Sequence, residues 1–354
     1  MKKLNVAIIG QGRSGRDIHG TYFLTDHAKA LFNVVAVVDK MEERRKRAAE
    51  TFKCDVYDSH EALYERNDID LVVNASPSHF HYPITLDLLN HGINVVSEKP
   101  FSKFAVECEN MINAAKKNNV MLSVFQNSHF APYYVKLKEV LNSGVLGKIH
   151  QISIKFNGFS RRWDWQCSNR FYGGILLNTG PHPMEQAIDL LDTDEMPNVF
   201  SSLKLMHSSG DAEDYAKVIL TYPDRPLIDV EINSGDDYSD HLYQISAERG
   251  SLKMWFDKIV YKYHEPCPIP ELQLESLTQE DGISPAYCSE TLDWKEVEEE
   301  IKGDAFCEGT RDYYQNIYNH LVNGDELVIR PEKILQQIRV MELAHAQNPL
   351  PTIY

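Results

Sequence analysis

The chain has few of the features that suit a protein to a membrane or to a nucleic acid. None of its uninterrupted apolar stretches approaches the roughly 20 residues of a membrane span, and no signal-type apolar segment follows Met1. Basic residues are scarce: Lys and Arg number 36 against 52 Asp and Glu, which gives a formal charge of −16. Because phosphate binding needs a basic surface, we expect neither nucleic acids nor membranes as partners.

Cysteine is also sparse, and its spacing is unlike that of a zinc framework or a disulfide scaffold. The six cysteines lie far apart, with no Cys-x-x-Cys pair: Cys54, Cys108, Cys167, Cys267, Cys288 and Cys307. Hydrophobic content of 43% and charged content of 25% are ordinary for a globular protein. A chain of 354 residues suggests about two domains. We therefore expect a reduced, cytoplasmic enzyme.

The most informative motif is a glycine-rich turn near the N-terminus. An apolar run over residues 4–9 leads into Gly-x-Gly-x-x-Gly at Gly10, Gly12 and Gly15. The first glycine permits a tight strand-to-helix turn, the second lets a pyrophosphate approach the backbone, and the third lets the helix pack close to the strand. The pattern predicts a dinucleotide bound at a helix N-terminus, where Arg13 and Ser14 offer further contacts.

A second apolar run supports this interpretation. Residues 34–38 are followed by Asp39, which lies about where a dinucleotide fold places the carboxylate that binds the adenosine ribose. A carboxylate there favours NAD and repels the additional phosphate of NADP. The basic residues Lys40, Arg44 and Arg13 could neutralise that phosphate, so NADP stays possible. The basic stretch that includes Arg44 otherwise predicts a solvated helix face.

Strand and helix patterns alternate through residues 1–125. The alternation predicts a doubly wound, mainly parallel sheet of the Rossmann type, with right-handed crossovers. In such a sheet, ligands bind beyond the carboxyl ends of the strands. Gly10, Asp39, Ser76 and Lys99 each follow a predicted strand, so we expect them to share one edge of the sheet.

From about residue 148 strand patterns follow one another with few helices between them. They predict a second, α+β domain over residues 126–354 with a largely antiparallel open sheet. The predicted strands cover residues 148–159, 199–207, 215–222, 227–233, 241–247 and 251–255. Residues 264–305 contain several prolines and an acidic run over 296–300, and predict an irregular excursion. The final helices, near 309–323 and 331–346, are candidates to pack back on the first domain.

Two short segments contain residues suited to acid–base chemistry. Lys99, within Glu98-Lys99-Pro100, could polarise a substrate oxygen, although a surface lysine is the alternative. Asn178 precedes His182 by four positions, which places both on neighbouring surface if the segment is helical. Histidine titrates near neutrality and can take up a hydroxyl proton, although a lone histidine is by default structural.

A third segment contains aromatic and polar residues together. Aromatic faces stack on the C–H faces of a sugar ring, while carboxylates, guanidinium groups and amides bind its hydroxyls. The tryptophans could equally be core at a domain interface. The candidate substrate residues are Arg161, Trp163, Asp164, Trp165 and Gln166.

The chain resembles the glucose-fructose oxidoreductase / inositol dehydrogenase / rhizopine-catabolism (Gfo/Idh/MocA) family. Three motifs carry the resemblance: the glycine motif, Glu-Lys-Pro, and the segment that begins with Gly173-Gly174 and ends in His182. The resemblance covers the chain to about residue 260 and again the C-terminal helices. It implies an NAD(P)-dependent dehydrogenase that acts on a secondary hydroxyl of a sugar, inositol or polyol. It also implies that Lys99 and His182 flank the reacting carbon, and that the enzyme is a homodimer or homotetramer.

The resemblance assigns further residues and reveals one departure. The family's Ser/Thr-Pro-x-x-x-His segment matches Ser76-Pro77 and His81, which implies that His81 lies near the nicotinamide. Many members carry aspartate at the position of Asn178, so the proton-relay role of that side chain is in doubt here. Glu185 or Asp164 could supply the missing charge.

Other functions remain open from the sequence. His79 and His81 could be read as metal ligands, but no third ligand has suitable spacing, and we expect no metal. A glycosidase of this fold could use NAD transiently, by oxidation, elimination and return of the hydride. A non-catalytic dinucleotide sensor would be consistent with Asn178, although Lys99 and His182 disfavour it.

Overall fold

The computed structural model describes residues 2–271 and 290–353. The chain builds two β-sheets, each covered by helices, and both predicted sheet types are present. Five cysteines are free thiols, namely Cys54, Cys108, Cys167, Cys267 and Cys307, while Cys288 lies outside the described residues. In the part of the chain described, no helix is both long and apolar enough to span a bilayer.

The first sheet has six strands, all parallel, in the order β3-β2-β1-β4-β5-β6. Its strands are β1 (Leu4–Ile9), β2 (Phe32–Val38), β3 (Asp55–Tyr57), β4 (Leu71–Asn74), β5 (Val95–Ser97) and β6 (Leu122–Val124). Every residue of β4 and β5 is buried, as expected for strands with helices on both faces. The predicted Rossmann-type sheet is confirmed.

Helices connect these strands. Residues Arg13–Gly20 form a π-helical segment after the glycine turn. The α-helices of this half are α1 (Thr21–Phe23), α2 (Asp26–Leu31), α3 (Glu42–Phe52), α4 (His81–Asn90) and α5 (Ala105–Asn118). Short 3₁₀ turns cover His60–Leu63, Ser78–Phe80 and Asn127–Phe130.

The second sheet has eight strands in the order β14-β13-β12-β11-β7-β10-β9-β8. They are β7 (Ile149–Asn157), β8 (Asn198–Lys204), β9 (Tyr215–Thr221), β10 (Leu227–Asn233), β11 (Tyr243–Ala247), β12 (Gly250–Met254), β13 (Lys258–His264) and β14 (Trp294–Glu300). All neighbours pair antiparallel except β7 and β10, which are parallel. The prediction of a largely antiparallel sheet is confirmed.

Residues 272–289 of the predicted irregular excursion over 264–305 lie outside the described residues, and the prediction is wrong at the acidic end, which forms a strand. β14 pairs antiparallel with β13, a strand that the sequence did not suggest. Lysines offset the acidic side chains across this pair: Lys262 lies opposite Glu296, and the Lys258 Nζ lies 2.5 Å from a carboxylate oxygen of Glu298. Opposite charges on neighbouring strands let a sequence that appears too acidic join the sheet.

The remaining helices link the two sheets. They are α6 (Pro132–Asn142), α7 (Ile175–Asn178), α8 (Pro181–Leu191), α9 (Ala305–Asn323) and α10 (Pro331–Gln347). α8 packs on the buried face of β7 and β10. α9 and α10 return to the first sheet, where the Tyr313 hydroxyl lies 2.9 Å from Ser123 Oγ and Tyr318 donates to the Lys2 carbonyl oxygen at 2.8 Å. The boundary at residues 125 and 126 stays a prediction.

Candidate active site

A cavity of about 800 Å³ lies where the carboxyl ends of the parallel strands face α7 and α8. Gly10, Asp39, Ser76 and Lys99 all line it, as their positions after predicted strands suggested. It also takes in residues from the second half of the chain, among them Asp164, Trp165, Gln166, Asn178 and His182. The structure thus brings the two predicted groups of side chains to one space.

The glycine turn has the shape that a dinucleotide needs. Gly10 has φ +89°, and a Cβ there would lie 2.4 Å from the Ala75 carbonyl oxygen. A Cβ on Gly15 would lie 1.8 Å from the Gly10 carbonyl oxygen, so strand and helix can pack this closely only with glycine. Gly12 instead faces open space, with Arg44 Nη1 at 3.9 Å the nearest atom. This opening at a helix N-terminus fits a pyrophosphate, and Arg13 and Ser14 line it too.

Asp39 lies at the end of β2 and is 8% exposed. Its carboxylate accepts hydrogen bonds from the backbone N–H of Gln11 at 2.7 Å and of Met41 at 2.8 Å. Arg44 Nη1 lies 3.6 Å from the same carboxylate. The basic stretch is therefore more than a solvated face, since Arg44, whose side chain is 39% exposed, also lines the cavity.

Lys40 lies in an adjoining cavity of about 830 Å³ and does not line the first one. Gly10, Asp39, Arg44 and Ser76 line both. The two cavities thus adjoin at these residues, an arrangement that suits an elongated ligand such as a dinucleotide.

Ser76 and Pro77 line the cavity beside His81, which is 2% exposed. Both ring nitrogens of His81 lie against backbone carbonyl oxygens, Nδ1 at 2.7 Å from that of Pro100 and Nε2 at 2.9 Å from that of Ser76. Burial lowers the pKa of this imidazole. These contacts tie the loop after β4 to the loop after β5, so His81 fixes the shape of the floor of the cavity.

His79 is separated from His81. Its ring packs 5.1 Å from that of Phe171, and its Nδ1 is buried without a hydrogen-bond partner. Across residues 2–271 and 290–353, no three His, Cys, Asp or Glu side chains are grouped so that they could hold a metal ion. The histidine pair therefore has no third ligand in the described chain.

Lys99 crosses the cavity from the end of β5. Its Nζ donates a hydrogen bond to the Asn178 carbonyl oxygen at 2.8 Å, and burial lowers its pKa. The preceding Glu98 is 3% exposed; its carboxylate accepts from the Lys99 backbone N–H at 2.9 Å and lies 3.1 Å from His19 Nε2. Burial alone would raise the pKa of Glu98, but the hydrogen bond to His19 and the electrostatic attraction of His19, Lys99 and His81 together outweigh it and lower the pKa to about 2. Glu98 therefore stays ionised and fixes the direction of the lysine backbone.

Asn178 and His182 lie on successive helices rather than on one. Asn178 ends α7, and α8 begins with Pro181, so a proline occupies the first turn, where it suits a helix. Both side chains nevertheless line the cavity. The His182 Nδ1 lies 3.0 Å from Ser128 Oγ. Burial and the positive charge of Lys99 lower the pKa of His182 to about 3, so its imidazole is neutral at neutral pH.

Glu185, a candidate for the missing charge, pairs with a different histidine. One of its carboxylate oxygens lies 2.8 Å from His129 Nδ1. Asp164, the other candidate, lines the cavity and accepts a hydrogen bond from Arg162 Nη2 at 2.6 Å. Of the two candidates, Asp164 is the one that lines the cavity together with His182.

The predicted substrate segment enters the cavity only in part. Asp164, Trp165 and Gln166 line it, but Arg161 and Trp163 do not, and Trp163 is 82% exposed. The physical reason is local. Asp164 caps a 3₁₀ turn over Trp165–Cys167 by accepting from the Gln166 backbone N–H at 3.0 Å. This cap sets the direction of the segment and brings Arg162 inward in place of Arg161.

Sequence reasoning missed several cavity residues. Ser128 contacts His182 from the 3₁₀ turn Asn127–Phe130 after β6, and neither its residue type nor its spacing signals that role. Asn127 and Tyr172 also line the cavity. Their contribution follows from the way in which the two halves of the chain meet, and the sequence pattern does not indicate it.

Comparison with known proteins agrees with this geometry. Two family models match the chain: one described as an oxidoreductase family with an NAD-binding Rossmann fold, over residues 4–126, and the GFO/IDH/MocA C-terminal domain, over residues 134–253. The chain belongs to the Gfo/Idh/MocA family of oxidoreductases. The first model describes an NAD-binding family, so the predicted family, cofactor and enzyme class are confirmed.

Relatives share about a quarter of their residues with this Gfo/Idh/MocA member. An uncharacterized oxidoreductase of Schizosaccharomyces pombe is 28% identical, covering 73% of this chain and 72% of that protein. The D-glucoside 3-dehydrogenase of Escherichia coli is 27% identical over 66% of this chain and 68% of its own. A 2,7-anhydro-N-acetylneuraminate hydratase of Mediterraneibacter gnavus is 24% identical over 72% and 68%.

Solved structures share the fold along the whole chain. An oxidoreductase from Bacillus cereus superposes with a TM-score of 0.78 at 18% identity, covering 99% of this chain and 100% of that one. An NAD-binding protein from Listeria innocua has a TM-score of 0.77 at 21% identity and covers both chains completely. At these identities the likeness establishes the shared fold.

Proposed function

We propose that this enzyme reversibly oxidises a secondary hydroxyl of a sugar, inositol or related polyol with NAD. The observation that carries the proposal is the convergence of Lys99 and His182, from opposite halves of the chain, on the cavity that the glycine turn borders. A dehydrogenase needs a cation to hold the reacting oxygen and a base to take its proton. Both groups are available here beside the NAD site.

The roles of the two residues follow from their protonation. His182 is neutral at neutral pH, so its imidazole can accept the hydroxyl proton during oxidation and return it during reduction. Lys99, held by the carbonyl of Asn178, donates a hydrogen bond to the same substrate oxygen and stabilises negative charge on it. The bound nicotinamide supplies the hydride acceptor.

The Asn178 side chain orients the substrate or the imidazole by hydrogen bonding, because an amide cannot take up a proton. Its loss of charge relative to the aspartate of many family members leaves His182 without a nearby carboxylate from α7. The low pKa of His182 is consistent with that loss.

The opposite wall of the cavity fits a polyhydroxylated ring. Trp165 offers an aromatic face, while Arg162, Asp164 and Gln166 offer donors and acceptors for hydroxyl groups. The D-glucoside dehydrogenase relative and a scyllo-inositol 2-dehydrogenase (NADP(+)) of Bacillus subtilis, 27% identical over 62% of this chain and 60% of its own, support a substrate of this class.

A second candidate is a lyase or glycosidase that oxidises its substrate transiently and restores the cofactor. The hydratase relative favours it, because hydration involves no net oxidation. A dinucleotide sensor is a third candidate, favoured by Asn178 and disfavoured by the Lys99 and His182 pair. The candidates differ in what they release: reduced cofactor, an eliminated group, or nothing.

A substrate panel separates these functions. Purified enzyme with NAD is offered inositols, sugars, polyols and aryl glycosides while reduced nicotinamide and released aglycone are both followed by absorbance. We expect reduced nicotinamide with one of the free polyols or sugars. Release of aglycone without net reduction would establish the transient mechanism, and tight NAD binding with neither signal would favour the sensor.

A further inference from the structure

Residues 126–129, which follow β6, are attached by hydrogen bonds to the first turns of α8. The segment makes hydrogen bonds with four residues in the first turns of that helix. They join Gln126 Nε2 to the Pro181 carbonyl oxygen at 3.2 Å, Ser128 Oγ to His182 Nδ1 at 3.0 Å, His129 Nδ1 to Glu185 Oε1 at 2.8 Å, and Gln186 Nε2 to the Ser128 carbonyl oxygen at 3.1 Å. A segment of the first half of the chain thus sets the position of the histidine ring.

We propose that Ser128 is a positioning residue that fixes the tautomer of His182, with the proton on Nδ1 directed to Ser128 Oγ and the lone pair of Nε2 directed into the cavity. The inference rests on the proposed function for its kinetic consequence only. The tautomer itself is a property of the protein without substrate. In the described chain, Nε2 of His182 makes no hydrogen bond, which leaves it available to a substrate hydroxyl.

The chemistry of a hydroxyl group suits this task. Ser128 Oγ can accept a hydrogen bond from Nδ1–H whether the imidazole is neutral or protonated, so the contact persists when Nε2 takes up the substrate proton. In the reverse arrangement the serine would donate to Nδ1, and an N–H at Nε2 would face the substrate. A ring in that tautomer could not accept the hydroxyl proton.

The surroundings hold Ser128 in place. Gln186, which donates to its carbonyl oxygen, also donates to the Tyr133 hydroxyl at 3.1 Å and accepts from the Tyr243 hydroxyl at 2.5 Å. These side chains are buried, so the serine backbone has little freedom to move. In this chain no acidic side chain of the described residues hydrogen-bonds the ring of His182, and Ser128 takes the orienting position.

Nuclear magnetic resonance tests the tautomer directly. Long-range ¹H–¹⁵N correlation on the full-length protein, with the His182 signals assigned by comparison with His182→Ala, reports which ring nitrogen carries the proton. We expect Nδ1–H in the wild type and a gain of Nε2–H in Ser128→Ala. An Nε2–H tautomer in the wild type would overturn the proposal, whether or not the enzyme oxidises any sugar.

Kinetics on the substrate that the panel identifies gives the second readout. Ser128→Ala should lower kcat by roughly tenfold, about the value of one hydrogen bond, while the KM for NAD stays at its wild-type value. Ser128→Thr keeps the hydroxyl and should restore kcat. Ser123→Ala is the matched control, since it removes a buried serine contact to Tyr313 without touching His182.

These outcomes separate positioning from packing. Equal impairment of Ser128→Ala and Ser128→Thr, or a fall of kcat in Ser123→Ala as large as that in Ser128→Ala, would show that only packing was disturbed and would contradict the proposal. If the panel finds no oxidised substrate, the proposed function fails, and the tautomer measurement still decides the role of Ser128.

Discussion

At the scale of single residues, Lys99 lowers the proton affinity of His182. The positive charge of Lys99 adds to burial in lowering the pKa of His182, and burial likewise lowers the pKa of Lys99. A neutral imidazole beside a cation can take up a proton, but nearby positive charge makes that uptake less favourable. The residue at position 178 is where a compensating negative charge could be placed.

Asn178→Asp should therefore raise the pKa of His182, because a nearby carboxylate stabilises the imidazolium. His182 must be neutral to act as the base in oxidation, so activity falls below its pKa. Raising that pKa moves the acid limb of the pH profile of kcat/KM to higher pH. Asn178→Ala, which adds no charge, is the control, and an unchanged acid limb in Asn178→Asp would show that residue 178 does not act on His182.

Arg44 is expected to decide how well NADP competes with NAD. Asp39 already accepts hydrogen bonds from two backbone N–H groups, and Arg44 lies 3.6 Å from it at the place where a ribose phosphate would sit. Arg44→Ala should raise the KM for NADP by roughly tenfold more than that for NAD. Lys46→Ala, in an exposed pair with Glu42, is the control. Equal changes for both cofactors would count against this role.

The sequence predicted some of these residues and not others. The sequence motifs that contain Lys99, His182 and Gly10 have residue types and spacings that indicate the chemistry of these residues. Ser128 has no such motif, because its contact with His182 joins two distant parts of the chain. The prediction named Arg161, whereas the neighbouring Arg162 lines the cavity, because the turn capped by Asp164 decides which arginine faces inward.

At the scale of secondary-structure elements, the glycine turn combines two separate requirements. Gly15 is needed for the close packing of helix against strand, whereas Gly12 has a φ of −73°, which any residue adopts, and faces the cavity. The first requirement belongs to folding and the second to ligand binding.

Substitution should separate the two. Gly12→Ala should fold normally and bind NAD at least roughly tenfold more weakly, because the added methyl occupies the pyrophosphate space. Gly15→Ala should lower the free energy of unfolding by about 2 kcal/mol or more, because its Cβ would overlap the Gly10 carbonyl oxygen. Denaturant unfolding and NAD titration measure both. Equal loss of stability in the two variants would contradict the distinction.

The strands of the two sheets were not equally predictable. The parallel strands follow from apolar runs that end in small or polar residues. β13 and β14 were both missed. Charge dominates the pattern of β14, and cross-strand pairs with the lysines of β13 offset that charge. Such pairing depends on register, which a single strand pattern does not contain.

At the scale of the whole molecule, the cavity exists only because the two halves of the chain meet. Lys99 reaches Asn178, Ser128 reaches His182, and α9 places Tyr314 2.6 Å from His19 Nδ1, behind Glu98. Each half contributes one of the two groups proposed for catalysis. The resemblance to the family also implies assembly, through the face of the eight-stranded sheet that the helices leave uncovered.

We expect a homodimer or homotetramer in sedimentation experiments. On the uncovered face, Phe200 is 63% exposed and lies opposite Ile219 on the neighbouring strand. Ile219→Glu places a charge in this apolar pair and should shift the protein toward monomer. A wild type that sediments only as monomer would contradict the assembly.

The most direct measurement is the turnover of His182→Ala on the substrate that the panel identifies, made together with an NAD titration. A positioned acid–base contributes roughly 10²–10⁴-fold in rate, so kcat should fall by about that factor while NAD affinity stays near the wild-type value. Lys99→Ala should lower kcat in a similar way. Full activity in His182→Ala would contradict the proposed mechanism.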